Sequence, residues 1–155
     1  MPYKSFLSAL ALLAQHSYAQ TQADIEAYPF MAEKFALRNM TWEPVKFTTE
    51  DGYTITSFHI TGNENGPIEV TKNAVVMIHG MGGDSTEYVQ VLRGEGHTPM
   101  AFSLAEAGHD VWLFNIRGNS YGLEHDVYSV DDEEFWAFDW RHNGVYDLPA
   151  LVNVV

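Results

Sequence analysis

The chain has no cysteine among its 155 residues. Disulfides, thiol nucleophiles and cysteine-bound zinc are therefore excluded. The absence does not argue against export, because a domain of this size can rely on its core. Cations are scarce: 8 Lys and Arg stand against 21 Asp and Glu, giving a net charge of −13. Such an acidic chain is repelled by a phosphate backbone, so no nucleic-acid partner is expected. No apolar run reaches the ~18–20 residues that a membrane-spanning helix needs, so no transmembrane segment is expected. Neither His-Glu-x-x-His nor another metal-ligand spacing occurs, and no metal or cofactor is expected. The glycines at 80, 82 and 83 lack the third glycine of a dinucleotide loop and the Gly-Lys-Ser/Thr of a phosphate loop.

What is present describes a folded chain. Hydrophobic residues make up 46% and aromatics 14%, too much apolar surface for a disordered segment. The length suits one domain and is short for a complete α/β enzyme. Met1–Gln20 reads as a secretory signal. Lys4 supplies the positive start, Phe6–Ala14 the apolar middle, and Ser17 and Ala19 the small residues before a cut between Ala19 and Gln20. An N-terminal anchoring helix is the alternative. The expected organisation is a signal peptide over 1–19 and one domain over 20–155. Asn39-Met40-Thr41 is an N-glycosylation sequon, meaningful on an exported chain; an unmodified surface asparagine is the other reading.

Local patterns place the elements. Met31–Arg38 suits a short helix. Glu43–Thr49 and Tyr53–Thr61 alternate around Asp51-Gly52, a hairpin signal. Gly62–Pro67 reads as a loop. Ala74–His79 is β-branched-rich and uncharged, which suits a strand buried on both faces of a mainly parallel sheet. Ser85–Thr98 is polar and reads as a surface excursion. Met100–Ala107 suits a helix stopped at Gly108, and Asp110–Ile116 the next buried strand, giving a parallel crossover. Tyr146–Val155 reads as a helix start with Asp147 as its cap or first-turn acid and Pro149 near its first turn.

The strand ending in His79-Gly80 and running into a Gly-rich turn suggests an oxyanion loop, in which a backbone N–H stabilises the charge of an acyl-transfer intermediate. A tight turn over a buried histidine is the alternative. The run Leu104-Ala105-Glu106-Ala107-Gly108-His109-Asp110-Val111-Trp112-Leu113-Phe114-Asn115-Ile116-Arg117-Gly118-Asn119 closely resembles the acid lipase family of α/β-hydrolases, which includes gastric and lysosomal lipases and steryl-ester hydrolases. Thr49–Tyr53 resembles the family's T-x-D-G-Y hairpin. His79-Gly80 resembles the start of its H-G-L-L loop. Phe135-Trp136-x-Phe138 and Tyr146-Asp147-Leu148-Pro149-Ala150 resemble its F-W-x-F and Y-D-L-P-A segments. These pieces cover roughly 42–151 in the family's order.

The resemblance implies the N-terminal part of an α/β-hydrolase: an antiparallel hairpin leading into a mainly parallel sheet with flanking helices, truncated before the nucleophile elbow. It implies hydrolysis of triacylglycerols or steryl esters at a lipid–water interface through a serine acyl-enzyme. It also implies a secreted or lysosomal protein. Met81 N–H would be the oxyanion donor, within a loop formed by His79 and Gly80. Gly82 replaces a leucine of the family pattern and removes apolar surface there. A secreted, non-catalytic fragment or pseudoenzyme that binds lipid or a partner is the alternative, and no protein partner is named by the sequence.

Ser120 lies in Gly118-Asn119-Ser120-Tyr121-Gly122, which matches G-x-S-x-G after a strand. A nucleophile elbow needs a helix directly after the serine, and Gly122–Asp126 does not read as one. Loop hydrogen bonding is the expected role of Ser120. His125 and His142, with Asp126 or Asp139, are candidate bases whose spacing forces no constellation. Arg117 is expected to pair with a carboxylate or cap carbonyls. Trp112, Phe114, Phe135, Trp136 and Phe138 read as core rather than acyl-site lining.

Overall fold

A computed structural model describes residues 21–90 and 96–155. The expected signal segment and the cut between Ala19 and Gln20 lie outside the described residues. The Thr21 side chain accepts from Asp24 N–H and caps α1 (Gln22–Ala27). Sequence patterning did not expect this helix, and it buries none of its residues, so no apolar stripe announced it. Pro29 opens α2 (Pro29–Ala36), at a position where a missing N–H breaks no helical bond. Met31 and Phe35, four residues apart, form its buried face.

β1 (Met40–Thr48) and β2 (Tyr53–Asn63) form the expected antiparallel hairpin. β2 does not stop at Thr61. It turns back into β3 (Gly66–Pro67), so the expected loop over Gly62–Pro67 is a second, tight hairpin. β4 (Ala74–Ile78), α3 (Met100–Glu106) and β5 (Asp110–Phe114) form a β-α-β unit with β4 and β5 parallel. β6 (Glu124–His125) pairs with the start of β2. The strand order is β1-β2-β5-β4, a mixed sheet with flanking helices as expected.

β5 shows the layered logic. Val111 and Leu113 enter a core with Phe35, Trp42, Phe58 and Phe102, whereas Trp112 and Phe114 enter a second core with Tyr53, Ile55, Phe135 and Leu151. Successive side chains leave opposite faces of a strand, so each face of the sheet is covered. β4 differs from expectation. Only Met77 is buried, and Ala74 and Ile78 are exposed. Among the described residues β4 pairs only with β5 and is an edge strand.

Two further segments correct the sequence reading. Ser85 and Val89 are buried in and beside a short 3₁₀ turn over Ser85–Tyr88, so this part of the excursion belongs to the core. The last helical segment begins earlier than Tyr146. It comprises α4 (Trp140–His142), a π turn over Asn143–Asp147, and α5 (Leu148–Val152). Asp139 caps it, accepting from Arg141 N–H while His142 Nδ1 accepts from Asp139 N–H at 3.0 Å. No helix among the described residues is long and apolar enough to cross a membrane.

Candidate functional site

The chain leaves β4 through a turn in which Gly83 N–H donates to Gly80 O at 3.1 Å. Gly82 has φ +79°. That combination is a type II turn, whose third residue requires the left-handed region. A leucine there would be strained, so the turn itself fixes Gly82. Met81 stands second in the turn and is 93% exposed. His79 is buried beneath it, with Nδ1 2.8 Å from Gly80 O and Nε2 3.2 Å from Asn119 Nδ2.

A chain of neutral amides extends from His79 into the core. Asn119 Nδ2 also donates to Asn115 Oδ1 at 3.0 Å, and Asn119 Oδ1 accepts from Tyr121 N–H at 2.9 Å. Fully buried Asn115 accepts from Ser85 N–H at 2.9 Å and donates to Thr56 O at 2.8 Å and Ser85 Oγ at 3.0 Å. Sequence reasoning did not single out Asn115, Asn119 or Ser85. The available signal was a polar residue, Asn115, set directly after the apolar run of β5. Buried polar atoms of this kind are kept only when satisfied.

Arg117, between the two asparagines, takes the ionic role expected of it. Its guanidinium is buried, forks onto Asp51 at 2.6 and 2.8 Å, and reaches Asp147 Oδ1 through Nε at 2.8 Å and Nη2 at 2.6 Å. It stacks 4.0 Å over the Tyr53 ring. Burial lowers the Arg117 pKa, and the bonds to both carboxylates outweigh it and raise the net value. Burial likewise raises the Asp51 carboxyl, but the Arg117 fork and the Thr49 hydroxyl hold it below its ordinary value. Asp147 stands at the start of α5, where a cap or first-turn acid was expected, but its side chain makes no cap bond: it is fully buried and also accepts from Asn143 Nδ2 at 2.9 Å.

A cavity of about 550 Å³ opens beside the turn, bordered by Met81, Gly82, Asn119, Ser120, Trp136, Phe138 and Trp140. Trp112, Phe114 and Phe135 are core, as expected. Trp136 is exposed and borders this cavity, which corrects its assignment to the core, whereas Phe138 packs against the second core as expected and borders the cavity as well. Trp136 ends a 3₁₀ turn, Glu133–Trp136, that points only Phe135 inward, and Phe138 lies just beyond it.

The glycines of the Gly118–Gly122 match have a local explanation. Gly118 N–H donates to Gly122 O at 2.8 Å and Gly122 N–H to Asn119 O at 3.0 Å, closing a small loop. A Cβ on Gly118 would lie 2.7 Å from the Phe138 ring, and one on Gly122 would lie 2.6 Å from Ile116 O. The loop leads into strand β6, not into a helix. Ser120 is exposed, and Asn119 makes the side-chain bonds of this loop. His125 is spent locally: Nε2 lies 3.0 Å from Asp51 O, and Nδ1 accepts from Val127 and Tyr128 N–H.

Known proteins place these features. A family model described as a partial alpha/beta-hydrolase lipase region matches residues 31–92, which includes the hairpin, β4 and the 80–83 turn. Gastric triacylglycerol lipase of Rattus norvegicus is 39% identical over 108 residues, 69% of this chain and 27% of that protein. Lysosomal acid lipase/cholesteryl ester hydrolase of Homo sapiens is 32% identical over 160 residues, 100% of this chain and 39% of that protein. The chain belongs to the α/β-hydrolase lipases. Lipase member M of Mus musculus is a further relative, 34% identical over 134 residues, 86% of this chain and 31% of that protein. The chain thus spans between about a quarter and two fifths of these lipases, in their N-terminal portion.

Proposed function

We propose that the chain supplies the oxyanion-binding part of a lipid carboxylic-ester hydrolase acting on triacylglycerols or steryl esters. The carrying observation is the Gly80–Gly83 turn, with Met81 beside a cavity bordered by Trp136, Phe138 and Trp140. Apolar walls suit an acyl chain, and a backbone N–H at their edge suits the negative oxygen of a tetrahedral intermediate. In this reading the substrate lies at a lipid–water interface. Met81 N–H is the donor, His79 and Gly80 shape the loop, and Ser120 is not the nucleophile. Residues 20–155 act as one partial domain after removal of a signal at Ala19–Gln20. The protein enters the secretory pathway and is secreted or lysosomal, in keeping with the names of its relatives. Asn39, exposed with its Nδ2 2.8 Å from Glu64 Oε2, carries a glycan.

The test is made in the longest product of the gene, assayed on emulsified triacylglycerol and a short-chain nitrophenyl ester. Met81→Leu keeps the N–H and should keep most activity. Met81→Pro removes it and should lower kcat by about 10²–10³-fold. Full turnover in a folded Met81→Pro protein would defeat the assignment. The isolated segment Gln20–Val155 should show no turnover above a Ser120→Ala control. Serine-dependent turnover abolished by that substitution would make Ser120 a true nucleophile, while binding of lipid without turnover in every product would favour the non-catalytic reading.

A further inference from the structure

We infer that Asn119 and Asn115 are positioning residues that set the direction of the Met81 N–H through the tautomer of His79. The catalytic meaning of that direction rests on the oxyanion reading above, whereas the hydrogen-bond chain stands without it.

Four backbone groups of fixed polarity determine the chain. Thr56 O can only accept and Ser85 N–H can only donate, so Asn115 must present its NH₂ to the first and its oxygen to the second. Asn115 Oδ1 therefore faces Asn119 as an acceptor. Tyr121 N–H can only donate, so it holds the Asn119 oxygen and leaves the Asn119 NH₂ facing both Asn115 Oδ1 and His79 Nε2. A ring nitrogen facing an NH₂ group must accept. The ring proton of neutral His79 then sits on Nδ1, which donates to the fourth group, Gly80 O, at 2.8 Å.

The consequence falls on one peptide unit. Gly80 C=O and Met81 N–H belong to the same peptide group, which is planar and trans, so they point in opposite directions. Gly80 O receives two donors, His79 Nδ1–H and Gly83 N–H. With both lone pairs engaged, the peptide cannot rotate without breaking two bonds, and Met81 N–H is held facing away from His79. Turn closure by Gly83 alone would leave one of those restraints absent. Asn119 thus acts on the donor through two intermediates, the His79 ring and the Gly80 carbonyl, and touches neither the N–H nor any substrate placed beside it.

The proposal is tested by NMR on the 155-residue chain, at alkaline pH where imidazoles are neutral. Ring ¹⁵N shifts report which His79 nitrogen carries the proton, and the Met81 amide resonance reports the peptide. The natural protein should show the Nδ1–H tautomer. Asn119→Asp is nearly isosteric but turns a donor into an acceptor, so the ring should switch to Nε2–H and the Met81 amide resonance should move. His79→Asn places an amide nitrogen where Nδ1 was and should leave the Met81 resonance close to its natural position. His79→Gln places it nearer Nε2 and should not. An Nε2–H tautomer in the natural protein would overturn the proposal, as would a switched tautomer with an unmoved Met81 amide. If Asn119→Asp does not fold, the His79→Asn and His79→Gln pair decides: equal Met81 shifts in both would overturn it. None of these readouts involves ester turnover, so they stand or fall separately from the Met81→Pro assay.

Discussion

Two polar clusters leave the end of β5 from residues 115–119, and they work by different physics. One is neutral: Asn115, Asn119, Ser85 and His79, joined donor to acceptor. The other is ionic: Arg117 between Asp51 and Asp147. The ionic cluster ties three distant stretches together, namely the β1–β2 turn, the end of β5 and the last helical segment. Its strength comes from charge and from bidentate geometry, and it fixes where those stretches lie. The neutral cluster carries little net attraction. What it carries is polarity, because every amide has one donating and one accepting end, and this sets which way a distant group points.

The contrast can be broken most severely at Arg117. Arg117→Leu leaves the fully buried Asp147 carboxylate without its cation, and stability should fall by about 3–5 kcal/mol. Arg117→Lys should rescue little, since an ammonium cannot fork onto two carboxylates. Urea unfolding measures both, and an unchanged midpoint for Arg117→Leu would show that the cluster holds nothing.

Asn115→Leu comes next. It strands Ser85 N–H and Thr56 C=O in the core, at about 1–3 kcal/mol for each group left without a partner. Asn115→Asp keeps the acceptor for Ser85 N–H and loses both donations, so it should also destabilise. If both variants unfold at the natural midpoint, the neutral cluster is not a structural unit.

Acid should separate the clusters without mutation. The Asp51 carboxyl lies below its ordinary value in the folded state, so its stabilising contribution is complete above the unfolded carboxylate range near pH 4 and is lost as pH falls through the lowered folded value. Urea midpoints measured from pH 6 to pH 3 should therefore fall below about pH 4, and Asp51→Asn should flatten that fall. An equal slope in Asp51→Asn would assign the acid sensitivity elsewhere. The smallest effect is expected outside both clusters. Lys46 and Glu124 pair at 2.6 Å with both side chains half-exposed or more, and Lys46→Ala should cost at most about 0.2–1 kcal/mol. A larger loss would mean that surface charge matters more in this acidic chain than the buried network does.

The fold was largely readable because its signals were local. The alternation of β1 and β2, the apolar run of β5 and the stop at Gly108 each depend on neighbouring residues, and each element formed as expected, with some ends displaced by two or three residues. Misreadings arose where distant parts of the chain decided the outcome. Asp147 resembles a helix cap until Arg117, 30 positions away, claims it. Trp136 has the composition of a core residue, but the arrangement of the 80–83 turn and Gly118 makes it a cavity wall. β4 has the composition of a central strand, whereas its burial depends on how many strands pair with it. The turn after β4 was legible at His79-Gly80 and the glycines that follow. Its support was hidden because asparagines carry no pattern until they are seen facing one another.

The π turn over Asn143–Asp147 has a mechanical consequence. An α-helix advances about 100° per residue, so the phase of its first side chain dictates the phase of its last. A π turn contains an extra residue and resets that relation. Here it lets one winding segment show Trp140 to the cavity at its start and Leu151 to the core at its end. Winding the same residues as a plain α-helix would swing Trp140 through roughly a quarter of a revolution relative to Leu151, whereas removing a single residue such as Gly144 would restore ordinary winding and leave the two close to their present phase. The extra residue is thus taken up within the turn, and the wall of the cavity keeps its place relative to the core by how the chain winds, not by which side chains form it.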